Sequence, residues 1–432
     1  MTHSISRAAT GLALLLGTFA LAFVPPLQTQ VGELTEKDQK ELGRLLGKYS
    51  NGKSDKDKEK AKLEFAGSLE KIGKKKGAKE TADAVTLALS MNADLGRALF
   101  FAGEYKSSLR GGKPVVEEIS APALAGTKAS YTLNLPSSYR AGSAPIPLIL
   151  CIAGMKDGKP MTATDFLTQE LSDATLRDNA AIAVVSMPSA ADDWNALKVG
   201  DKPLGGMSMV MFTWGDVKSK VSVDAERIYL LARGSESVAA AMHVAARFPH
   251  CFAGLVGMAG DASAAVEHTN FINLPTLFVG AGGNATAFES KIKEAGYGNC
   301  TLRSDGNVAD VWSWMAQTQR VSNPLKVVFK PVDPAHDRAY WLRIPPTEGL
   351  TSVISAECDR ASNTIKVTAP GVAQVTLMFN GALVDFTKKV NIEINGKSRS
   401  ESVVPTVEEM LQLSSSSDNG RVYVARRVYD VL

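Results

Sequence analysis

The stretch Arg227-Ile228-Tyr229-Leu230-Leu231-Ala232-Arg233-Gly234-Ser235-Glu236-Ser237 decides how this chain is read. Arg227 to Ala232 predicts a strand buried on both faces, and the Ala-rich run Ser237 to Phe248, stopped by Pro249, predicts a helix directly after it. A strand covered on both sides needs helices on both sides. The same texture recurs at Pro147 to Ile152, Ala181 to Ser186, Gly254 to Met258, Pro275 to Gly280 and Asn299 to Arg303, with a further helix over Ala285 to Ala295. Val115 to Ile119 and Tyr131 to Leu135 read as two more strands. Strands alternating with helices predict an α/β architecture over 114–333, a doubly wound and mostly parallel sheet.

Working outward, the N-terminal side is helical. Leu42, Leu45, Leu46 and Tyr49 form one apolar stripe, Phe65, Leu69 and Ile72 a second, and Ala84, Leu87, Met91, Leu95 and Leu99 a third, so 31–110 is expected to be a helical region that packs on something. Gly111-Gly112 ends that pattern. Ahead of it, Arg7, the apolar run Ala8 to Val24 and Ala20-Leu21-Ala22 read as a signal peptide over 1–22, with a mature chain from about Phe23 that is secreted or periplasmic. The rival reading is an uncleaved anchor, since the run nears the length of a membrane span. No later stretch is long and apolar enough to span a bilayer.

On the C-terminal side, 348–432 is expected to be a small antiparallel β module. Ile365 to Val367, Val375 to Phe379 and Val390 to Ile394 alternate, and Asn380-Gly381 and Asn395-Gly396 read as hairpin turns. Thr406 and Glu409 make a capping box before a short helix, and Arg421 to Val431 returns as a last strand. Phe379, Phe386, Tyr423 and Tyr429 are aromatics available for packing or for contact with a ligand.

Composition narrows the function. The 48 Lys and Arg against 45 Asp and Glu leave a net charge of +3, too weak a field to steer nucleic acid, and the lysine-rich Lys53 to Lys62 interleaves acids as a solvated helix face does. The four cysteines Cys151, Cys251, Cys300 and Cys358 have no Cys-x-x-Cys spacing, so buried thiols are expected, with one disulfide the alternative. The five histidines form no ligand set, and the glycine-rich spots Gly205-Gly206 and Gly282-Gly283 lack phosphate-loop context. No metal or other cofactor is implied. Asp192-Asp193 beside Trp194 reads as a solvent-facing loop.

Pro147 to Gly154, Val223 to Leu230, Ala245-Ala246-Arg247-Phe248-Pro249 and Phe252-Ala253-Gly254-Leu255 together resemble the α/β-hydrolases of the polyhydroxybutyrate-depolymerase and feruloyl-esterase type, over roughly 115–330. Asn323-Pro324 with Arg338-Ala339-Tyr340-Trp341-Leu342 is also similar to large exported esterase-like proteins with a β-rich tail. The resemblance implies a serine on a strained strand-to-helix turn between glycines, followed along the chain by an acid and a histidine.

Ser235 occupies the turn, with Ser237 the next hydroxyl. Arg233 and Ser237 stand where the glycines belong, Asn284 where the acid belongs and Asn307 where the histidine belongs. An amide has no useful basicity near neutral pH. Backbone donors at Gly154, Met155 and Glu236 are expected to form an oxyanion site, although the usual His-Gly reads Ala153-Gly154. Of the remaining histidines, His243, His250 and His268 read as packed or solvated, and His336 is the outside candidate for a displaced base.

Two functions compete. One is an exported, esterase- or depolymerase-like protein that has lost catalysis and acts by binding, a pseudoenzyme whose partner is an ester-bearing polymer or small ester. The alternative is an active serine carboxylic-ester hydrolase on polyester or plant-wall esters with a rearranged base.

Overall fold

The computed structural model describes residues 34–119, 129–156, 159–185, 205–334, 336–346, 352–414 and 421–431. The expected signal peptide and Asp192 to Trp194 lie outside them. The N-terminal side forms α1 (Glu36–Ser50), α2 (Asp55–Lys75), α3 (Thr81–Ser90) and α4 (Asn92–Phe101). Thr35 and Ser54 cap α1 and α2 by accepting the backbone N–H of Asp38 and Asp57, which satisfies donors that a helix start leaves unpaired.

The central sheet follows in chain order: β1 (Val115–Glu118), β2 (Ser130–Asn134), β3 (Ile146–Ile152), β4 (Ala181–Val185), β5 (Val223–Arg233), β6 (Gly254–Met258), β7 (Thr276–Val279) and β8 (Cys300–Arg303). Their spatial order is β1-β2-β4-β3-β5-β6-β7-β8. Strand β2 runs antiparallel to both of its neighbours, and β3 to β8 are mutually parallel.

Period-two alternation builds a core on each face. Leu148, Leu150, Ile228, Leu230 and Ala232 point to one side, beneath α7 (Gly206–Lys220), α8 (Ser235–Arg247) and α9 (Gly283–Glu294). Ile149, Cys151, Tyr229 and Leu231 point to the other, beneath α5 (Ala163–Gln169), α6 (Ala174–Asn179) and α10 (Val308–Gln317). Each large aliphatic side chain removed from water in this way contributes about 1.5–3 kcal/mol. This is the doubly wound, mostly parallel sheet read from the sequence.

The C-terminal part starts earlier than 348 and is larger than a hairpin module. Strand β9 (Lys326–Phe329), expected inside the sheet domain, pairs with β12 (Ile354–Asp359), because Val327 and Phe329 bury into the tail's core rather than the sheet's. Strands β9, β12, β13 (Thr364–Thr368), β15 (Val390–Ile394) and β16 (Lys397–Glu401) make one sheet, in which β13 and β15 run parallel. Strands β10 (Arg338–Ala339), β11 (Leu342–Arg343), β14 (Gln374–Phe379) and β17 (Ala425–Asp430) make a second, and the two enclose Trp341, Val375, Leu377 and Tyr429 as a sandwich.

Phe379, Tyr423 and Tyr429 are buried here and are not a ligand surface. The helical region shares a core with the tail: Leu42, Phe65 and Leu69 pack with Met410 and Leu411 of α11 (Val407–Ser414) and with Val422 and Val424. The two outer parts of the chain therefore close on each other.

Candidate functional site

The C-terminal ends of β3, β5, β6, β7 and β8 form one edge of the sheet, where open α/β sheets gather their functional loops. Strand β5 ends at Arg233, and Gly234 then adopts φ 87°, ψ 151°, a backbone region essentially reserved for glycine. Helix α8 begins at Ser235, which is solvent-exposed. A nucleophilic serine is presented by standing on the strained residue of such a turn. Here the strained residue is Gly234, which has no side chain, and Ser235 stands directly after it, at the first position of the helix. Ser237, the second hydroxyl, is buried and donates to the Ala153 carbonyl at 3.3 Å.

The close approach that motif glycines provide comes instead from the neighbouring strands. A Cβ on Gly260, just after β6, would lie 2.5 Å from the Gly234 carbonyl carbon, and one on Gly154, just after β3, would lie 2.9 Å from the Arg233 oxygen. Arg233, freed from the glycine's role, reaches Glu170 after α5, Nε to Oε2 at 2.9 Å.

Of the expected oxyanion donors, Gly154 abuts the end of β5, and Met155 opens a short ribbon that folds back through Lys159–Pro160. Glu236 is exposed in the first turn of α8. The first bond of that helix runs from the Val238 N–H to the Gly234 carbonyl at 2.9 Å, and no side chain caps it. The N–H groups of Ser235, Glu236 and Ser237 therefore lie outside the helix ladder, at the positive end of its dipole.

The Asn307 side chain caps a helix, whereas Asn284 is exposed and acts through its backbone N–H. Asn307 is the N-cap of α10, accepting from the Asp310 N–H at 3.0 Å while Asp310 accepts from the Asn307 N–H at 3.0 Å. Asn284 lies in the first turn of α9, and its N–H donates to Asp261 at 3.0 Å.

Asp261 is the carboxylate that the sequence reading missed, because it was sought after β7 and this one follows β6. Its signal was Met258-Ala259-Gly260-Asp261, an acid three residues past a buried strand. It also accepts from Ala285 N–H at 2.9 Å and Ala262 N–H at 2.8 Å. Burial would raise its pKa, but the backbone donors of Ala285, Asn284, Ala262 and Gly282 outweigh that and hold the carboxyl below its ordinary value. It anchors α9 as a fixed anion.

No described histidine serves Ser235. His243 lies on α8 itself, roughly 12 Å along the axis from Ser235. His250 is buried past the end of α8, edge-on to Phe248 and Tyr340, and His268 lies beside Glu267 at 3.4 Å. His336 is corrected as the displaced base: it packs on Phe329 near Arg247, the last residue of α8, roughly 18 Å from the start of that helix.

Among the described residues no group of three or more His, Cys, Asp or Glu is placed to hold a metal. The four cysteines are buried thiols outside any disulfide, and burial pushes Cys151 upward. No described helix is long and apolar enough to cross a membrane.

The fold is an α/β fold built on a doubly wound, mostly parallel eight-stranded sheet. No family model matches the chain, and no curated protein matches it. Among solved structures it is similar to a thermostable esterase, at 11% identity and TM-score 0.38, over 48% of this chain and 63% of that one, so it spans under two thirds of that esterase. It is also similar to a ferulic acid esterase, at 12% identity and TM-score 0.33, over 48% of this chain and 94% of that one. An S-formylglutathione hydrolase from Agrobacterium tumefaciens is similar at 12% identity and TM-score 0.34, over 48% and 93% of the two chains.

Proposed function

We propose that this protein is an exported, esterase-like member of the α/β-hydrolase fold class that binds an ester- or acyl-bearing ligand, polymeric or small, without turning it over. The observation that carries this reading is the glycine at the strained turn. Gly234 takes the conformation that presents a nucleophile and offers no side chain, while Ser235 stands exposed with no described imidazole in reach. Backbone donors at the start of α8 are suited to a carbonyl or acyl oxygen. Without base and acid, such donors and binding leave roughly a thousand-fold over the uncatalysed rate, far below a working hydrolase.

A fluorophosphonate probe tests this without knowledge of the substrate, because it reports nucleophile activation. The purified protein should label no faster than a Ser235→Ala variant. Rapid labelling that depends on Ser235 would reject the reading and favour an active hydrolase with a rearranged base. Export is proposed from Arg7, the apolar run and Ala20-Leu21-Ala22. N-terminal sequencing should find the mature chain starting near Phe23, whereas an intact Met1 on a cytoplasmic protein would end that part of the proposal.

A further inference from the structure

The sheet domain and the β sandwich keep separate hydrophobic cores, and the joint between them combines polar contacts with the buried Tyr340, whose ring meets His250. Asn270 grips the backbone of Lys330 from both sides, donating to its carbonyl at 2.9 Å and accepting its N–H at 2.7 Å. Asn273 donates to the Lys326 carbonyl at 2.8 Å, and Lys330 pairs with Glu267 at 3.0 Å. Interfaces of this kind hold domains less firmly than a continuous apolar core does.

Inside the joint lie two buried nitrogen-rich side chains. Arg247 closes α8 and pairs with Asp333, yet its Nε has no hydrogen-bond partner among the described residues. His336 is 3% exposed, and its ring lies 5.4 Å from that of Phe329, a residue of the sandwich core. Its Nδ1 accepts the Val332 N–H at 3.2 Å, and its Nε2 has no partner among the described residues. The charged groups around this histidine are Arg247 from α8 and Asp333, Asp337 and Arg338 from its own loop, while β9 presents the apolar Phe329. Glu267 and Lys330 lie further along the same joint.

We propose that this joint is an acid-opened hinge, in which protonation of His336 separates the sandwich from the sheet domain. The imidazole fits only as a neutral acceptor. A proton on Nδ1 would face the Val332 N–H, donor against donor, and would place a buried cation beside Arg247, whose charge Asp333 already balances. Such a cation is relieved by exposure to water.

Burial first, then the Arg247 charge, pushes the pKa of His336 from 6.5 down to about 3, with the Arg338 backbone acting weakly the other way. The sign follows. The open joint takes the proton more readily than the closed one, so closure is fully favoured above pH 6.5 and loses up to about tenfold per pH unit below it. At pH 5 the closed state is disfavoured about thirty-fold relative to neutral pH. Burial raises Glu267, but Thr269 and Lys330 hold its pKa below the ordinary value; His268 beside Glu267 and His250 against Tyr340 are the other imidazoles at this joint, so the part that belongs to His336 is what its Gln variant removes.

Hydrogen exchange on the full-length protein between pH 7.5 and 5, corrected for intrinsic rates, tests the hinge. The amides of Lys330 and Val332, bonded to Asn270 and His336, should lose protection about thirty-fold by pH 5 while those of β5 keep theirs. In His336→Gln, whose amide oxygen accepts the Val332 N–H and takes up no proton, the loss should disappear. Unchanged protection in the parent, or an equal loss in the variant, would overturn the hinge. Should the variant not fold, proton NMR of the parent decides: His336 must resist protonation to below pH 5 while the joint is closed, and a titration midpoint near 6.5 with the joint still closed refutes the mechanism.

Discussion

Exchanging one methyl group between the adjacent residues Ala259 and Gly260 should move stability in opposite directions. Ala259 sits at φ 47° and is exposed, so removing its methyl loses no buried area. The left-handed conformation costs an L-residue about 1–2 kcal/mol, and glycine gives back about 0.5–1 kcal/mol through the freedom of the unfolded chain. Ala259→Gly is therefore expected to gain about 0.5 kcal/mol.

Gly260→Ala places a Cβ 2.5 Å from the Gly234 carbonyl carbon, 2.6 Å from the Ser235 nitrogen and 2.8 Å from the Gly234 oxygen. All three are backbone atoms, so no rotamer change relieves the overlap. Overpacking costs about 1–3 kcal/mol, here toward the upper end, offset by about 0.4–1 kcal/mol from a stiffer unfolded chain, for a net loss of about 2 kcal/mol. The readout is exchange of the Gly234 amide, which bonds the Met258 carbonyl at 2.9 Å and joins the two turns. Its opening should rise about thirty-fold in Gly260→Ala and fall slightly in Ala259→Gly. A Gly260→Ala protein within 0.5 kcal/mol of the parent would show that the close approach of β6 does not hold the turn.

Asp261→Asn removes the anion from the start of α9 and should cost about 1 kcal/mol in local protection of that helix. Because the Asp261 pKa is lowered by folding, its contribution is present above the unfolded carboxylate range and lost as pH falls through the lowered value. The parent's α9 amides should weaken in acid to the level of the variant, and a variant equally weak at all pH values relative to the parent would refute that assignment. Gly381→Ala would place a Cβ 2.1 Å from the Ser90 carbonyl oxygen, so limited proteolysis between α2 and α3 should accelerate at least about tenfold while the sandwich core resists. Unchanged cleavage would show that Gly381 does not dock the helical region.

The candidate site was legible in its place and not in its detail. A buried strand running into an Ala-rich helix located the turn from sequence, and glycine's freedom at positive φ favours Gly234 over Ser235 there, but whether the turn needs such a residue at that position is not a local matter. That need rests on the register of β5 against β6, set by the Gly234-to-Met258 bond, and on the approach of Gly260. Likewise Asp261 stands 23 residues before Asn284, and their meeting depends on two parallel strands ending at the same edge. His336 was readable as a titratable residue near the end of the sheet, whereas its position at the far end of α8 depends on how the sandwich docks.

The hydrophobic runs, the helical stripes and the caps come from the sequence by itself, because each is decided within a few residues by side-chain period and by which donors need partners. What tertiary structure decided is clearest where one local signal has two outcomes. Asn395-Gly396 adopts φ 46° and 82° between β15 and β16 and is the hairpin its dipeptide predicts. Asn380-Gly381 carries the same signal and is no hairpin: Asn380 is buried, donating to Asn323 Oδ1 at 2.8 Å and to the Val422 carbonyl at 3.0 Å, and Gly381 lies against Ser90. The turn propensity of the two is equal, but β14 pairs with β11 and β17, both distant in the chain, and the hydrogen bonds and burial of those partners outweigh a preference of a few residues.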